Sequence, residues 1–400
     1  MSRRTIAPWW RAAPTSFVLA WGGNHFTPLL HVYEQVGGYA PWQANLLLGM
    51  YVFGLIPGLL VAASLSDKHG RKSIAFCGLI AAAGASVILA LSMESFVLLC
   101  IGRALAGIGV GIGMSVGSSW VKELSQAPWD AQAAATSGAR RSSMALTLGF
   151  AIGAGVTGAL AQWAPLPGQL PYVVHLVLCA VAFVAWVTTP ESLTTEHRAK
   201  GAWWRDLRVP ATGHHVFRRV VLPAAPWVFA AAGVAYAILP SVVEDRLGDM
   251  ATLFATALTV ITLGVGAVAQ TTVGFLNRVT RGRALLVGMT GMTLGMILAV
   301  IAAAVGKPVL AFAVAVLLGA SYGVCVVSGL LIAQSIADQR DLAGITGVYY
   351  SLSYLGFLLP TLLAAVLPVL PYTGGLTIVA LVCALCLLLV WRGIRRSWER

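Results

Sequence analysis

Three ionisable side chains lie where an apolar chain has least reason to keep them: His25, Glu34 and Arg103. His25 sits about eleven residues from the far end of its apolar run. That is roughly 16 Å along a helix, near the centre of a ~30 Å hydrocarbon layer. An imidazole titrates close to neutral pH, so at that depth it could take a proton from either face. A neutral histidine hydrogen-bonded between helices is the plainer use of the same residue. Glu34, near the outer end of that run, could exchange protons or simply be solvated at a rim. Arg103 stands about seven residues, roughly 10 Å, inside the fourth run. A guanidinium there costs several kcal/mol unless it faces protein or water, so function is the default reading and snorkelling the alternative.

Other chemistries find no support. Cys383 and Cys386 form a C-x-x-C without a second pair, a nearby histidine or a strand-turn-helix setting. All six cysteines fall within apolar stretches, where they serve as small core residues. Residues 153–158 spell G-x-G-x-x-G, but no strand precedes them and no acid follows at the required distance. His175, on the sixth run, reads as a packing residue. Clustered metal ligands and nucleophile-base pairs are missing, so neither an enzyme nor a cofactor or metal protein is expected.

The elements that must position these groups follow from composition. Of 400 residues, 58% are hydrophobic and 10% charged, against roughly a quarter charged in an ordinary soluble domain. Turn and charge signals divide the chain into twelve apolar runs, at 15–36, 43–64, 74–93, 96–121, 138–162, 170–189, 222–243, 251–273, 284–304, 308–334, 341–368 and 372–392. Each is long enough to span a bilayer as a helix. Arg3, Arg4 and Arg11 precede the first run, which continues through Asn24, His25 and Pro28 without a small-residue cleavage site, so it reads as a retained span. All of the 26 Lys and Arg except Arg103, Arg246 and Lys307 fall on one side of such a topology. The positive-inside rule therefore puts both termini in the cytoplasm of a cell or inner membrane. The net charge of +12 then reports topology and attraction to anionic lipid, with no nucleic-acid partner implied.

A polar stretch, 190–221, separates six runs from six, giving bundles at 1–189 and 222–400. It holds His197, Arg198, Lys200, Arg205, Arg208, Arg218 and Arg219 around Trp203 and Trp204. It reads either as a short amphipathic helix on the membrane surface or as a plain linker. The loop Ser66-Asp67-Lys68-His69-Gly70-Arg71-Lys72 after the second run has a degenerate copy in Asn277-Arg278-Val279-Thr280-Arg281-Gly282-Arg283 after the eighth. Paired halves with a site at midplane are a common transporter construction.

That loop, with twelve spans around it, closely resembles the signature of the major facilitator superfamily, departing at Ala63 where glycine is usual. Arg103-Ala104-Leu105-Ala106-Gly107-Ile108-Gly109 is similar to a second family motif. Gly149, Gly153, Gly155 and Gly158 resemble the glycine motif of the family's drug-proton antiporters, with Ala154 replacing its proline. The resemblance implies an all-α integral membrane fold of two pseudo-symmetric six-helix bundles, acting as a monomer. It implies a gate latch of Asp67, Gly70, Arg71, Lys72 and Glu123, in which Asp67 meets the eleventh helix near 341–344 and Glu123 relays charge to Arg71. If the first and fourth helices adjoin as in the family, Glu34 pairs with Arg103 and joins His25 in proton coupling.

The helices that line the cavity in the family offer Asn24, Thr27, Met114, Ser118, Tyr236, Ser321, Tyr322 and Ser328 here, with Tyr350 and Tyr354 as aromatic wall. Each residue could equally be a satisfied packing contact. A mildly polar, aromatic cavity without a central carboxylate suits a small amphipathic or neutral substrate. The expected function is proton-driven export of drugs or a secreted metabolite by alternating access. Proton symport of a nutrient, and a sensor or scaffold that has lost transport, are the alternatives.

Overall fold

A computed structural model describes residues 7–134, 137–194, 196, 198, 201–338 and 342–398. His197, Lys200, Asp341, Arg3 and Arg4, invoked above, lie outside the described residues. The helices are α1 (Trp9–Asn24), α2 (Leu30–Gln35), α3 (Pro41–His69), α4 (Arg71–Leu91), α5 (Phe96–Ile112), α6 (Ser118–Glu123), α7 (Ser137–Trp163) and α8 (Leu170–Thr188). They continue with α9 (Leu222–Ala224), α10 (Trp227–Gly233), α11 (Leu239–Val243), α12 (Ala251–Val279), α13 (Ala284–Val305), α14 (Pro308–Ser335), α15 (Leu342–Tyr354), α16 (Leu358–Val366) and α17 (Tyr372–Trp398). Among the described residues there is no strand.

Eleven helical stretches of the described residues are long and apolar enough to cross a membrane. The first expected span is instead broken: α1 ends at Asn24, a 3-10 turn covers Thr27–Leu29, and α2 resumes at Leu30. Pro28 explains the break, since it lacks an N–H and disfavours helical geometry at the preceding residue. In the stretch 190–221, read either as a short surface helix or as a plain linker, the described residues include 3-10 turns at Trp203–Leu207 and Pro210–Gly213. A π turn at Phe217–Val221 then begins the seventh span.

Internal packing divides the chain into two units, Met1–Phe26 with Met50–Leu207, and Thr27–Gly49 with Arg208–Arg400. In the first, α1 packs on α7 and α8, and α4 on α5 and α8. In the second, α14 packs on α12 and α13, and α17 on α13. With little water to exclude between spans, close backbone approach through small residues must hold the helices together. A Cβ at Gly54 would strike the carbonyl of Ala104, and one at Gly107 the carbonyl of Tyr51, so α3 and α5 touch backbone to backbone. The second unit repeats this between α12 and α14, where Gly319 faces Thr262 and Gly323 faces Gly266. Gly149 and Gly153 seat α7 against Phe17 and Trp21 of α1. Gly149 and Gly153 of the glycine motif on α7 thus have a packing explanation.

Candidate functional site

The tightest polar cluster forms where α3 gives way to α4. Gly70 caps α4 with φ 98°, a left-handed conformation that glycine adopts without penalty. A Cβ there would also collide with the Glu191 carboxylate. Glu191 accepts hydrogen bonds from the backbone N–H groups of Arg71 (2.9 Å) and Lys72 (3.0 Å), satisfying the otherwise orphaned donors at the start of α4. Arg71 then fans across three partners. It donates to Ser66 Oγ at 2.6 Å and Glu123 Oε1 at 3.0 Å, and pairs with Asp67 one turn earlier. Ser192 Oγ donates to the other Glu123 oxygen at 2.6 Å.

The structure therefore brings Asp67, Gly70, Arg71 and Glu123 together. It holds Lys72 nearby, with its Nζ bonded to Val187 O at 2.9 Å and resting over the Trp186 ring. Sequence reasoning missed Glu191 and Ser192. The available signal was an acid directly after a span, beside a helix start that lacks a side-chain cap. The 190–207 stretch follows the same surface: Ser64 Oγ donates to Trp203 O at 3.1 Å and Lys68 to Gly201 O.

A second cluster surrounds the break in the first span. His25 is 1% exposed, with its ring edge-on to Tyr172 and His175 at 5.0 and 4.8 Å. Neither of its ring nitrogens has a hydrogen-bond partner among the described residues. His175 is the satisfied one: Nε2 lies 3.0 Å from Val18 O and Nδ1 2.7 Å from Ser86 Oγ. A carbonyl can only accept, so Nε2 carries the hydrogen and Nδ1 accepts from Ser86. His175 thus ties α8 to α1 and α4, a stronger role than the packing expected for it. Arg103 is fully buried, its guanidinium over the rings of Phe26 (4.1 Å) and Tyr51 (5.0 Å). This cation–π seat replaces snorkelling as the way the charge is accommodated.

Glu34 belongs to the second unit, with His31 and Glu244, and His25 and Arg103 to the first. His31 Nδ1 is 3.2 Å from Glu244 Oε1. The ligand atoms of the three residues lie within 4.8 Å of one another, close enough to share a proton or a cation. A cavity of about 20 Å³ beside them is lined by Thr27 and Tyr236 as well as the three. Residues 31 and 244 are too far apart in sequence for this grouping to have been read there.

Candidate cavity residues fall into two kinds. Ser321 and Ser328 are buried, and their hydroxyls are bonded to Leu317 O (2.7 Å) and Val324 O (2.6 Å) of their own helix. They are satisfied packing residues. Tyr322 and Tyr354 instead join an aromatic cluster centred on Phe229, which sequence reasoning missed. Phe229 stacks on Tyr354 at 4.1 Å and on Phe357 at 4.9 Å, and lies 5.8 Å from Tyr322. Tyr236, on a π turn at Val234–Ile238, reaches Phe357 at 6.3 Å. Tyr350 packs on Tyr349 at 5.8 Å. Met114, within the π turn Gly113–Gly117, and Ser118, directly after it, are half-buried, as is Asn24 at the end of α1. Phe229 looked like one more apolar residue in an apolar run, so only the neighbours of its ring reveal it.

Membrane-crossing helices in two units, a buried arginine and a charged loop pinned at one helix junction define a multi-pass membrane protein built for solute movement. The family model described as Major Facilitator Superfamily matches residues 12–361, and the chain belongs to that superfamily; it is a transporter and not an enzyme. Two solved structures of nucleoside transporter NupG share its fold. A variant form has a TM-score of 0.76 at 11% identity, covering 96% of this chain and 99% of that one. The other has 0.73 at 13% identity, covering 98% and 99%. The D-xylose-proton symporter gives 0.67 at 16% identity, covering 96% of each chain. A curated protein, probable polyol transporter 4 from Arabidopsis thaliana, is 36% identical over 84 residues, which is 21% of this chain and 16% of that protein's length.

Proposed function

We propose that this protein is a proton-coupled secondary transporter that exports a small, neutral, amphipathic solute by alternating access. In this reading the bundles 1–189 and 222–400 are joined by the linker 190–221, with both termini in the cytoplasm. The observation that carries the substrate class is the cluster of Phe229, Tyr322, Tyr354 and Phe357. These rings, buried in this conformation, bring together aromatic faces and two phenolic side chains without a charge, which suits a neutral ring-bearing or hydroxylated molecule better than an anion. His25, buried with unpartnered ring nitrogens, and Glu34, beside Glu244, are the groups assigned to proton exchange. Arg103 keeps a fixed positive charge in the same unit as His25. A second reading, proton symport of a hydroxylated nutrient, draws on the stretch similar to a polyol transporter.

The test is flux in proteoliposomes under an imposed pH gradient, with a panel of fluorescent amphipathic dyes and neutral polyols. Dye moving against the proton gradient supports export, and polyol moving with it supports symport. Phe229→Ala should raise the KM for the transported compound roughly tenfold, about the 1.4 kcal/mol of one lost stacking partner. If the panel gives no gradient-dependent flux, or if Phe229→Ala leaves KM unchanged, the reading is wrong.

A further inference from the structure

The second unit carries a groove of about 450 Å³ between the start of its first span and the last helix, lined by Arg218, Arg219 and Arg392 together with Leu222, Pro223 and Leu389. None of its lining residues is acidic. Three guanidiniums from two helices repel one another, and that repulsion is relieved when an anion sits between them. The arginines are gathered by backbone geometry. A Cβ at Gly393 would lie 2.8 Å from Arg219 O and 2.9 Å from Val220 Cγ2, so α17 presses directly on the π turn that carries Arg218 and Arg219. Arg218 Nη2 donates to Gly213 O at 2.9 Å, which holds one guanidinium in place over the groove.

The groove also has an apolar wall. Leu222 and Leu389 are 43% and 44% exposed. Each lies three positions further into its span than an arginine, Leu222 beyond Arg219 and Leu389 before Arg392. One helical turn, about 5 Å, separates the charged rim from the leucines. A cationic rim above an exposed apolar wall matches a phospholipid, whose phosphate takes paired N–H donors from arginine and whose acyl chain covers the leucines. A soluble phosphate would use the rim and leave the wall bare. We infer that this groove binds an anionic phospholipid, with its headgroup phosphate between Arg219 and Arg392 and an acyl chain along Leu222 and Leu389.

Native mass spectrometry of the whole purified protein with added phosphatidylglycerol or phosphatidylcholine tests the site. Wild type should retain phosphatidylglycerol in preference. Binding should weaken about fivefold for each arginine removed, hence roughly 25-fold in Arg219→Gln/Arg392→Gln. The charge-matched Arg140→Gln/Arg208→Gln, at exposed positions outside the groove, should bind as wild type does. If the groove double variant melts early in detergent alone, Arg392→Gln carries the test, with an expected fivefold loss. Equal retention of the two lipids by wild type would overturn the site. So would equal losses in the two double variants, or displacement of phosphatidylglycerol by an equal concentration of glycerol phosphate.

Discussion

Glu191 shows how one residue can organise a charged site that seemed complete without it. Its carboxylate accepts two backbone N–H groups at the start of α4, a place where negative charge also meets the positive end of the helix dipole. Arg71 is thereby oriented at its backbone by one acid and at its side chain by Asp67 and Glu123. Glu191→Ala removes the cap and should cost about 1 to 2 kcal/mol, the usual worth of a helix N-cap. Thermal unfolding in detergent reads this as a lowered midpoint, and an unchanged midpoint would show that water caps α4 equally well. Asp67, Arg71 and Glu123 were legible in the sequence because they fall in a recognisable loop and at a span end. Glu191 was not, because a cap reaching across 120 positions has no local pattern.

At the scale of elements, glycine placement decides which helices touch. Gly107 stands where α5 meets the α3 backbone at Tyr51, whereas nothing lies within 4 Å of a Cβ added at Gly84 of α4. The two positions should respond in opposite ways. Gly107→Val forces α3 and α5 apart and should cost at least about 3 kcal/mol, the upper range of overpacking, seen as loss of monodisperse protein on size-exclusion chromatography. Gly84→Ala should be neutral or stabilising by roughly 0.5 to 1 kcal/mol, the helical advantage of alanine over glycine. Comparable yields of the two variants would refute the backbone-contact account. The four-residue spacing of Gly107 and Gly111, and of Gly109, Gly113 and Gly117, favours close packing at the level of sequence. That α3 is the partner of Gly107, and that α12 and α14 repeat the arrangement, came from the structure. The break in the first span was missed because its apolar run is continuous, although Pro28 marks it in retrospect.

For the molecule as a whole, the proposed function requires a latch that holds one state and releases it. A partly exposed pair such as Asp67–Arg71 contributes about 0.3 to 1 kcal/mol, a size suited to a contact that breaks in every cycle. Asp67→Asn should therefore slow transport about two- to fivefold at matched abundance, the rate equivalent of that energy. The melting midpoint should hold, since Arg71 keeps Glu123 and Ser66. A wild-type rate in the variant would remove Asp67 from the transport cycle.

Composition by itself determined that the chain is an all-helical membrane protein, because the cost of burying charge in hydrocarbon acts on every residue independently of its tertiary neighbours. The recognisable loop likewise pointed to the superfamily before any coordinate was known. The tertiary structure decided the rest. Arg103 is paid for by the rings of Phe26 and Tyr51, His175 and not His25 is the hydrogen-bonded imidazole, Glu34 keeps company with His31 and Glu244, and Phe229 stands at the centre of an aromatic cluster. Each of these depends on which faces of distant helices meet, and helix-to-helix contact in a membrane is set by local shape at short range, which an almost uniformly apolar sequence scarcely encodes in its pattern.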